Sequence, residues 1–417
     1  MPSPVTSSSS CPFAPRQHGQ CGISDVVVIG AGLAGASAAC VLARLGLRVT
    51  LVDPRPNCPP VFKAEKIEPD QAELFRKLRI FQTILPHAAP IREVRSYYNG
   101  RLCRVNSTEQ YGLFYSDMVN ALRTEAAERA TVKVGRVLGL ETTHDLQRIK
   151  IAGADDLNAR LVILACGINA DIPSRLGLKR TLIQREHSLV LGFALAPWTG
   201  SAFPFDAATY YSTTASTGID YISLFRFHRT MRANVVAFPT GSHRSWISRF
   251  LADPESALRA CFPKLHRAIG YYRVASKVEL ATISLYRTEI KAPVGIVLIG
   301  DAAQNVCPSS GMGLTKILTD LDVLSQCIPQ WFATPGMAAE KLADFYLDPR
   351  KVAADARALE AGLYRRQACT NTSLRWRIHR TRLHLAMQFG RPVLPPQDPP
   401  ELTPIPSESE RPAPEAA

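Results

Sequence analysis

The sequence predicts an α/β fold that is interrupted by an inserted antiparallel sheet and followed by helices at its C-terminal end. Three observations predict it. Residues 25–53 have a strand–helix–strand pattern, whereas residues 187–240 contain one strand-like run after another. The strand GIVLIGD, which ends at Asp301, then resumes the α/β pattern. Since parallel strands need crossover helices and antiparallel strands do not, we expect two different sheets.

The composition is that of an ordinary globular protein. With 417 residues, 46% of them hydrophobic and 20% charged, the chain can bury one large core or two smaller ones. The net charge of +13 would suit nucleic acid, an anionic membrane or phosphate-rich cofactors. No stacking-rich or zinc motif accompanies the charge, so we expect no nucleic-acid partner.

The ten cysteines and the ends of the chain indicate a soluble, cytoplasmic protein. No CxxC pair or Cys/His cluster has metal-ligand spacing, so we expect reduced thiols and no metal. Residues 1–22 are rich in Ser and Pro, and they lack the apolar run of a signal peptide. Nothing approaches the roughly 18 consecutive apolar residues that a membrane-spanning helix needs.

The first half of the chain alternates strands with helices. DVVVIG predicts a buried strand, residues 33–45 an Ala/Leu-rich helix, and RVTLVD a second strand. Further helices are predicted around residues 71–78 and 116–130. Three more strand-like runs follow, at 132–140, at 149–151 and at LVILACG.

The second half begins with four strand-like runs, SLVLGFALA, ATYYSTT, YISLFRF and NVVAFPT. A helical, partly basic stretch at 246–269 precedes another strand at 278–286. GIVLIGD and a long helix from about Gly313 follow. The chain is then predicted to be helical to about Phe389, and the Pro-rich tail beyond it is predicted to be disordered.

A first glycine-rich turn joins the opening strand to its helix. It reads Gly30-Ala31-Gly32-Leu33-Ala34-Gly35, and Asp53 ends the following strand. In this pattern the first glycine permits a tight turn, the second lets a pyrophosphate approach, and the third lets helix and strand pack closely. The helix N-terminus attracts the phosphates, and the acid can accept hydrogen bonds from a ribose. The context predicts a dinucleotide site rather than a turn without a ligand.

A second turn distinguishes the possible dinucleotides. Gly300-Asp301 ends a strand, and the segment containing Pro308, Gly311, Met312 and Gly313 leads into the long helix that carries Asp320 and Asp322. With the first motif, this segment resembles the family of FAD-dependent aromatic hydroxylases, over most of residues 25–330. The resemblance implies a Rossmann-type FAD-binding domain with an inserted antiparallel-sheet substrate domain.

The resemblance also implies roles for these residues. Asp301 is expected to hydrogen-bond the ribityl chain of FAD, and the turn at 308–313 to lie against the flavin ring. A helix N-terminus there would stabilise the negative charge of reduced flavin. The implied cycle is flavin reduction, reaction with O₂ to a C4a-hydroperoxide, and oxygen transfer to a small-molecule substrate by hydroxylation or epoxidation. No protein nucleophile or metal is needed.

Two further positions match the family less closely. Relatives carry an Asp-Gly pair near the flavin and the nicotinamide donor, but here Cys166 precedes Gly167. The electron source is therefore left open between NADPH, NADH and a separate flavin reductase. Lys63 stands where relatives often place an Arg near the cofactor phosphates, although a solvated lysine fits the position equally well. We include Lys63 and Gly167 among the cofactor residues.

The elements predict a discontinuous domain organisation. Residues 85–110 are a candidate contribution to the substrate domain. The predicted plan is a disordered leader at 1–22, FAD-binding parts at 23–186 and 276–330, a substrate domain at 187–275, a C-terminal helical region at 331–390 and a disordered tail at 391–417.

The substrate domain is rich in aromatic residues, most of which we expect in its core. Some can line a pocket for a largely apolar substrate. Alternatives to a monooxygenase are a flavin-dependent reductase or dehydrogenase of isoprenoid-like substrates and a non-enzymatic binding protein. A halogenase is disfavoured, because no WxWxIP spacing occurs.

An arginine-rich stretch near the C-terminal end has two interpretations. It contains no acid and interleaves its arginines with large apolar residues, so it could rest on an anionic membrane. A solvated helix packed on the protein is the simpler interpretation. The stretch comprises Arg365, Arg366, Arg375, Arg377, Arg380 and Arg382, with Leu374, Trp376, Ile378, Leu383 and Leu385.

Overall fold

The structure, a computed structural model, describes residues 23–63, 65–200, 202–212, 218–227, 230–239, 243–290 and 294–388. Within them the chain forms two sheets, and helices cover one face of each. The predicted α/β fold class is confirmed, since one sheet is mainly parallel and the other mainly antiparallel. The leader, the tail and the end of the ATYYSTT run lie outside the described residues.

The strands follow one another along the chain with helices between them. In chain order they are β1 (Ile23–Ile29), β2 (Val49–Asp53), β3 (Lys66–Ile67), β4 (Ala89–Tyr98), β5 (Arg101–Gly112), β6 (Thr131–Val134), β7 (Val137–Thr142), β8 (Gln147–Ile151), β9 (Leu157–Leu164), β10 (Arg180–Pro197), β11 (Ala207–Tyr211), β12 (Ile219–Phe227), β13 (Thr230–Ala237), β14 (Tyr272–Val274), β15 (Glu279–Thr288) and β16 (Ile296–Leu298). The helices are α1 (Leu33–Arg44), α2 (Pro69–Lys77), α3 (Phe81–Ile84), α4 (Tyr115–Arg129), α5 (Asp171–Arg175), α6 (His243–Ala252), α7 (Pro254–Cys261), α8 (Leu265–Ile269), α9 (Met312–Phe332), α10 (Ala339–Leu347), α11 (Pro349–Thr370) and α12 (Leu374–Gln388).

The first sheet has the strand order β6-β2-β1-β9-β8-β7, and β16 also pairs with β9. Strands β1, β2, β6, β9 and β16 are parallel, whereas β7 and β8 pair antiparallel. Side chains of β1 alternate between two buried clusters. Val26 and Val28 pack under α1, α4 and α9, while Val27 and Ile29 pack on the opposite face. Burial on both faces explains the uninterrupted apolar run of this strand.

The second sheet has nine strands and is built around the long strand β10. Its order is β14-β10-β13-β12-β11-β4-β5-β3, and β15 also pairs with β10. Alternate side chains, such as Phe193 and Tyr210, form a core with α6, α7 and α8. We call the opposite face the inner face. The inserted antiparallel sheet is thus present, and β4 and β5, which span the 85–110 segment, belong to it.

Three predicted elements differ in detail from the structure. The predicted strand at 132–140 is two strands, because its first part pairs with β2 up to Val134 and its second part, from Val137, pairs with β8. β10 begins at Arg180 rather than near His187, since a bulge there breaks the alternation that predicts strands. The helical stretch at 246–269 is interrupted at Asp253-Pro254 and again after Cys261.

The C-terminal helices pack against elements of both sheets' surroundings: α9 beside the first sheet, and β4 and β5 of the second sheet. Helices α10 and α11 pack against α9, and α12 packs against α11, β4 and β5. In the part of the chain that the structure describes, no helix combines the length and apolar character that crossing a bilayer requires. The residue limits that we predict for the domains stay predictions.

Candidate active site

The predicted cofactor residues gather at one edge of the first sheet. β1, β9 and β16 are parallel and end in register, at Ile29, Leu164 and Leu298. The turns that follow these strands therefore lie side by side. In open α/β sheets, ligands bind in the crevice outside the carboxyl ends of such strands.

The first glycine turn is too tightly packed for any side chain. Gly30 has φ +100°, and a Cβ there would lie 2.6 Å from the carbonyl oxygen of Ala165. A Cβ on Gly35 would lie 1.8 Å from the carbonyl oxygen of Gly30. A Cβ on Gly32, by contrast, would meet only the Tyr115 hydroxyl, at 3.4 Å. Gly30 and Gly35 thus shape the turn, and Gly32 faces a more open space.

Asp53 and a buried arginine hydrogen-bond the backbone of this turn. The Ala31 amide donates to Asp53 Oδ2 at 2.8 Å. Arg123 on α4 donates from Nε to the Ala31 carbonyl at 2.7 Å, and its Nη2 lies 3.4 Å from Asp53 Oδ2. Asp53 therefore fixes the turn backbone, in addition to the ribose contact that the sequence predicts for it.

The N-terminus of α1 is open to an anion. No side chain of the preceding residue Gly32 can cap it, and the Leu33 amide instead donates to the Tyr115 hydroxyl at 3.1 Å. Burial raises the pKa of Tyr115, so that its hydroxyl stays a neutral donor. A phosphate placed here would meet amide N–H groups, the helix dipole and this hydroxyl.

The second motif touches the first. A Cβ on Gly300 would lie 3.1 Å from the Ala34 side chain, so the two predicted turns are in van der Waals reach of each other. Asp301 lies half-buried in the turn after β16, and its Oδ2 is 3.6 Å from Lys63 Nζ. Lys63, predicted from a loop distant in sequence, therefore does lie beside the second motif.

A buried charge network supports Gly300. Its amide donates to Asp320 Oδ2 at 2.9 Å, and its carbonyl accepts from Lys316 Nζ at 3.2 Å. Lys351 of α11 also donates to Asp320, at 2.7 Å. Burial alone would raise the pKa of Asp320, but the two lysines and the hydrogen bonds more than offset it and lower the pKa. The network ties the turn to α9 and α11.

The turn at 308–313 forms the start of α9. Gly311 precedes the helix with φ +69°, a backbone conformation that favours glycine, and the Met312 amide donates to Ser310 Oγ at 3.4 Å. Gln71 of α2 donates to the Gly311 carbonyl at 2.9 Å and to Thr315 Oγ1 at 3.0 Å. Met312 and Gly313 form the first turn of the helix, half-buried. The N-terminus of α9 is thus the second helix N-terminus among these turns.

Cys166 and Gly167 form the third turn at this edge. A Cβ on Gly30 would lie 3.1 Å from the Cys166 Cα, so the third turn adjoins the first. Gly167 has φ +63°, and a Cβ there would meet nothing within 4 Å. Gly167 is therefore required for its backbone conformation and not for lack of space around it.

Two thiols and one histidine near these turns are kept neutral at pH 7. Burial raises the pKa of the Cys166 and Cys307 thiols. Burial and the nearby Arg366 lower the pKa of His187 to about 4. None of these groups is set up as a nucleophile or as a strong general base.

A row of small and polar side chains crosses the inner face of the second sheet. Register places them next to one another on neighbouring strands. The row contains Gly192, Asn234, Ser223, Thr209 and Ser96. The next row on the same face contains Val190, Val236, Tyr221, Tyr211 and Tyr98. The first row is a shallow trench, since none of its side chains is larger than asparagine.

The trench lies beside the turns of the first sheet. The Tyr221 hydroxyl donates to the Ser309 carbonyl at 3.2 Å, which joins the tyrosine row to the 308–313 turn. Within the described residues, the hydroxyls of Ser223 and Thr209 form no hydrogen bond. The trench can therefore offer two hydroxyls and aromatic surface to a bound molecule.

The loop that carries Lys63 closes one end of the trench. The Phe62 ring occupies the space over Gly192, where a Cβ would meet it at 2.5 Å. Glu65 accepts from Arg232 Nε at 3.0 Å and from Asn234 Nδ2 at 3.2 Å. These contacts connect the predicted cofactor loop to the second sheet.

Sequence reasoning missed several of these groups. Arg123, Tyr115 and Gln71 contact the turns from α4 and α2, and no local motif marks them. Lys316 directly follows the second motif, but the motif did not predict a role for it. Most aromatic residues of the substrate sheet lie in its core, as predicted: Phe193, Phe203, Phe205, Tyr210, Phe225, Phe227 and Phe238 are buried, whereas Tyr211 and Tyr221 are half-buried.

The residues fit a dinucleotide that contains flavin. A pyrophosphate, a ribose and a flavin ring require such features: two helix N-termini, a tightly packed glycine turn and an acid at the end of the next strand. Fold and site together define a Rossmann-type flavoprotein. The chain belongs to the family described as FAD binding domain, whose model matches residues 24–357.

Known proteins similar to this chain are monooxygenases and halogenases. It is 23% identical to 6-hydroxynicotinate 3-monooxygenase of Bordetella bronchiseptica over 379 residues, which cover 84% of this chain and 92% of the relative. The structure of p-nitrophenol 4-monooxygenase from Pseudomonas putida has a TM-score of 0.67 at 15% identity, covering 88% and 95% of the two chains. Halogenase PltM with phloroglucinol and FAD has a TM-score of 0.64 at 15% identity, covering 87% and 80%.

The protein is thus an FAD-dependent oxidoreductase of the monooxygenase family. FAD is its cofactor, and NAD(P)H is the typical electron donor of the family. The predicted family and cofactor are confirmed, and the alternative of a non-enzymatic binding protein is wrong. The individual site residues stay predictions.

Proposed function

We propose that this protein hydroxylates or epoxidises a small, largely apolar aromatic molecule that carries oxygen substituents. The first turn, with Gly30, Ala31, Gly32, Ala34 and Gly35, would hold the pyrophosphate of FAD, and Asp53 its ribose. Lys63, Gly167, Gly300 and Asp301 would border the middle of the cofactor. The 308–313 turn would face the flavin ring.

One observation carries the proposal. The Gly300 and Ala34 positions are in van der Waals reach, and the inner face of the second sheet reaches the 308–313 turn through Tyr221. A single extended cofactor can therefore contact both motifs and present its ring to the trench. When bound, FAD supplies oxygen activation and oxygen transfer.

The residues of the chain itself would bind the substrate, orient it and shield it from water. Phe62 and the tyrosine row exclude water from the trench, and the hydroxyls of Ser223 and Thr209 can hydrogen-bond substituents of a flat ring. The names of the similar proteins support this substrate class, since 6-hydroxynicotinate and p-nitrophenol are both aromatic rings with a hydroxyl group. Binding of such a ring would use the apolar walls for affinity and the hydroxyls for orientation.

The second candidate is a flavin-dependent reductase or dehydrogenase of isoprenoid-like substrates. Cys166 favours it, because this residue departs from the acid expected beside the nicotinamide donor. A hydrocarbon would, however, leave the free hydroxyls of the trench unpaired, which disfavours binding.

Stopped-flow reduction and oxygen uptake test the proposal. The FAD-loaded protein is mixed anaerobically with NADH or NADPH, with and without phenolic, polyketide-like and isoprenoid ligands. We expect a phenolic or polyketide-like ligand to accelerate flavin bleaching and to consume one O₂ per product in air. Product formation without oxygen uptake, or acceleration by isoprenoids alone, would overturn the proposal in favour of the reductase.

A further inference from the structure

The outer side of α12 carries an exposed apolar stripe. Leu374, Ile378 and Leu385 are 68%, 46% and 48% exposed. At 3.6 residues per turn, these three positions lie within about 40° of one another around the helix. Thr381 lies in the same stripe, so no charged side chain interrupts it.

Arginines flank the stripe on both sides. Arg375 and Arg382 lie about 80–100° around the helix from Leu374, and Arg377 lies about 60° in the other direction. All three are exposed, and within the described residues their guanidinium groups form no ion pair. The sequence contains no acidic residue between Glu360 and Asp398. This side of the helix is therefore uniformly basic around an apolar centre.

The opposite side of α12 is anchored to the protein. Trp376 is buried and packs against the rings of Tyr364 and His379, with centroids 5.7 and 5.5 Å away. Arg380 donates to the carbonyls of Ala368 and Asn371, at 3.2 and 2.6 Å. The apolar stripe therefore faces outward because the other side is committed to packing.

Two residues of the predicted basic stretch do not belong to this surface. Arg365 of α11 pairs with Asp220 at 2.6 Å, and Arg366 donates to the carbonyls of His187 and Pro239. Trp376 also faces inward. The interpretation that places the whole arginine-rich stretch on one membrane-facing surface is therefore wrong, because these side chains contact the rest of the protein.

We propose that this side of α12 docks on the surface of an anionic lipid bilayer. Its leucines and isoleucine would enter the boundary between headgroups and acyl chains, and its arginines would contact lipid phosphates. Charge complementarity selects an anionic partner. The exposed apolar stripe selects lipid over nucleic acid, whose phosphate surface offers no apolar layer. With 15 residues, α12 lies on the bilayer rather than across it.

Cosedimentation with vesicles tests this surface. The FAD-loaded full chain is mixed at low salt with vesicles of phosphatidylcholine alone or with phosphatidylglycerol. We expect binding only to the anionic vesicles, and weaker binding at high salt. Arg375→Gln with Arg377→Gln and Arg382→Gln should lower the partition coefficient on the order of 100-fold, since each arginine contributes roughly fivefold.

A second variant and a matched control separate docking from net charge. Leu374→Ser with Ile378→Ser and Leu385→Ser keeps the charge and should lower partitioning on the order of 100-fold, since burying the exposed half of each side chain contributes roughly fivefold. Arg129→Gln with Arg136→Gln and Arg259→Gln removes the same charge elsewhere and should bind like the parent. Retained FAD absorbance shows that each variant is folded. Absence of binding by the parent, or parent-like binding by both α12 variants, would overturn the proposal.

Discussion

At the scale of residues, single atoms decide whether the first turn can exist. Gly35 illustrates this, because its own φ is ordinary and its hydrogen atom is what the Gly30 carbonyl packs against. A pattern of glycines predicts such a position but cannot say which glycine is needed for backbone freedom and which for space. The structure shows that Gly311 is needed for backbone freedom, Gly35 for space, and Gly30 for both.

Gly35→Ala should abolish FAD retention. The new Cβ would lie 1.8 Å from the Gly30 carbonyl oxygen, so α1 must move away from β1 and the pyrophosphate cradle opens. The FAD content of the purified protein, from its visible absorbance, measures the effect. Gly139→Ala is the control, since its Cβ would meet only Lys150 Cδ at 3.8 Å. If Gly35→Ala kept a full complement of FAD, the close packing of this turn would not matter for binding.

At the scale of elements, α11 connects the C-terminal helices to the substrate sheet. Arg365 is half-buried and pairs with Asp220 of β12, and it lies over the Tyr221 ring at 5.0 Å. Burial alone would lower the pKa of Arg365, but Asp220 more than offsets this and raises it. The helix therefore supports the same strand that reaches the 308–313 turn. From the sequence alone, Arg365 belonged to an arginine-rich stretch, and its pairing with Asp220 could not be predicted.

Arg365→Met should destabilise the protein by about 2–3 kcal/mol, because it leaves the half-buried Asp220 carboxylate without a partner. The midpoint of urea unfolding measures the change. The double variant Asp220→Leu/Arg365→Met should recover part of the loss, since no lone charge remains. Arg357→Met, an exposed position on the same helix, serves as control and should shift the midpoint little. A double variant no more stable than Arg365→Met would argue against this explanation.

At the scale of the whole molecule, buried charges link distant parts of the chain. Asp320 and Lys316 of α9, with Lys351 of α11, hold the Gly300 turn. The pKa of Asp320 is lowered from 3.8, so its stabilising contribution is complete above that value and is lost as pH falls through the folded-state pKa. The pKa of Lys316 is raised from 10.5, despite burial, by Asp320 and Asp355. Its contribution is complete below pH 10.5 and is lost as pH rises further.

Acid titration of stability tests this network. The contribution of Asp320 to the unfolding midpoint should be constant above about pH 4 and should decrease as the pH falls further. Asp320→Asn should lower the midpoint at neutral pH and remove part of the acid dependence, because the amide does not titrate. Asp156→Asn, which alters an exposed pair with Arg148, is the matched control. An unchanged acid profile in Asp320→Asn would mean that other carboxylates dominate.

Much of the fold could be predicted from the sequence, and the reasons are local. DVVVIG and RVTLVD are strands buried on both faces, and residues 33–45 have helical composition, so each element follows from nearby residues. Prediction failed where the signal was not local. The bulge near His187 broke the alternation, and the run at 132–140 is split because its two parts pair with different strands, β2 and β8.

By itself, the sequence determined the α/β class, the FAD family and the residues of the two glycine turns, because turns, caps and strand ends depend on neighbouring residues. Only the tertiary structure decided that Arg123, Tyr115 and Gln71 support those turns. It also decided that a polar trench crosses the second sheet and that α12 turns its Leu374 side outward. These features join residues far apart in the chain, and their contacts depend on strand register and helix packing, which no short segment encodes.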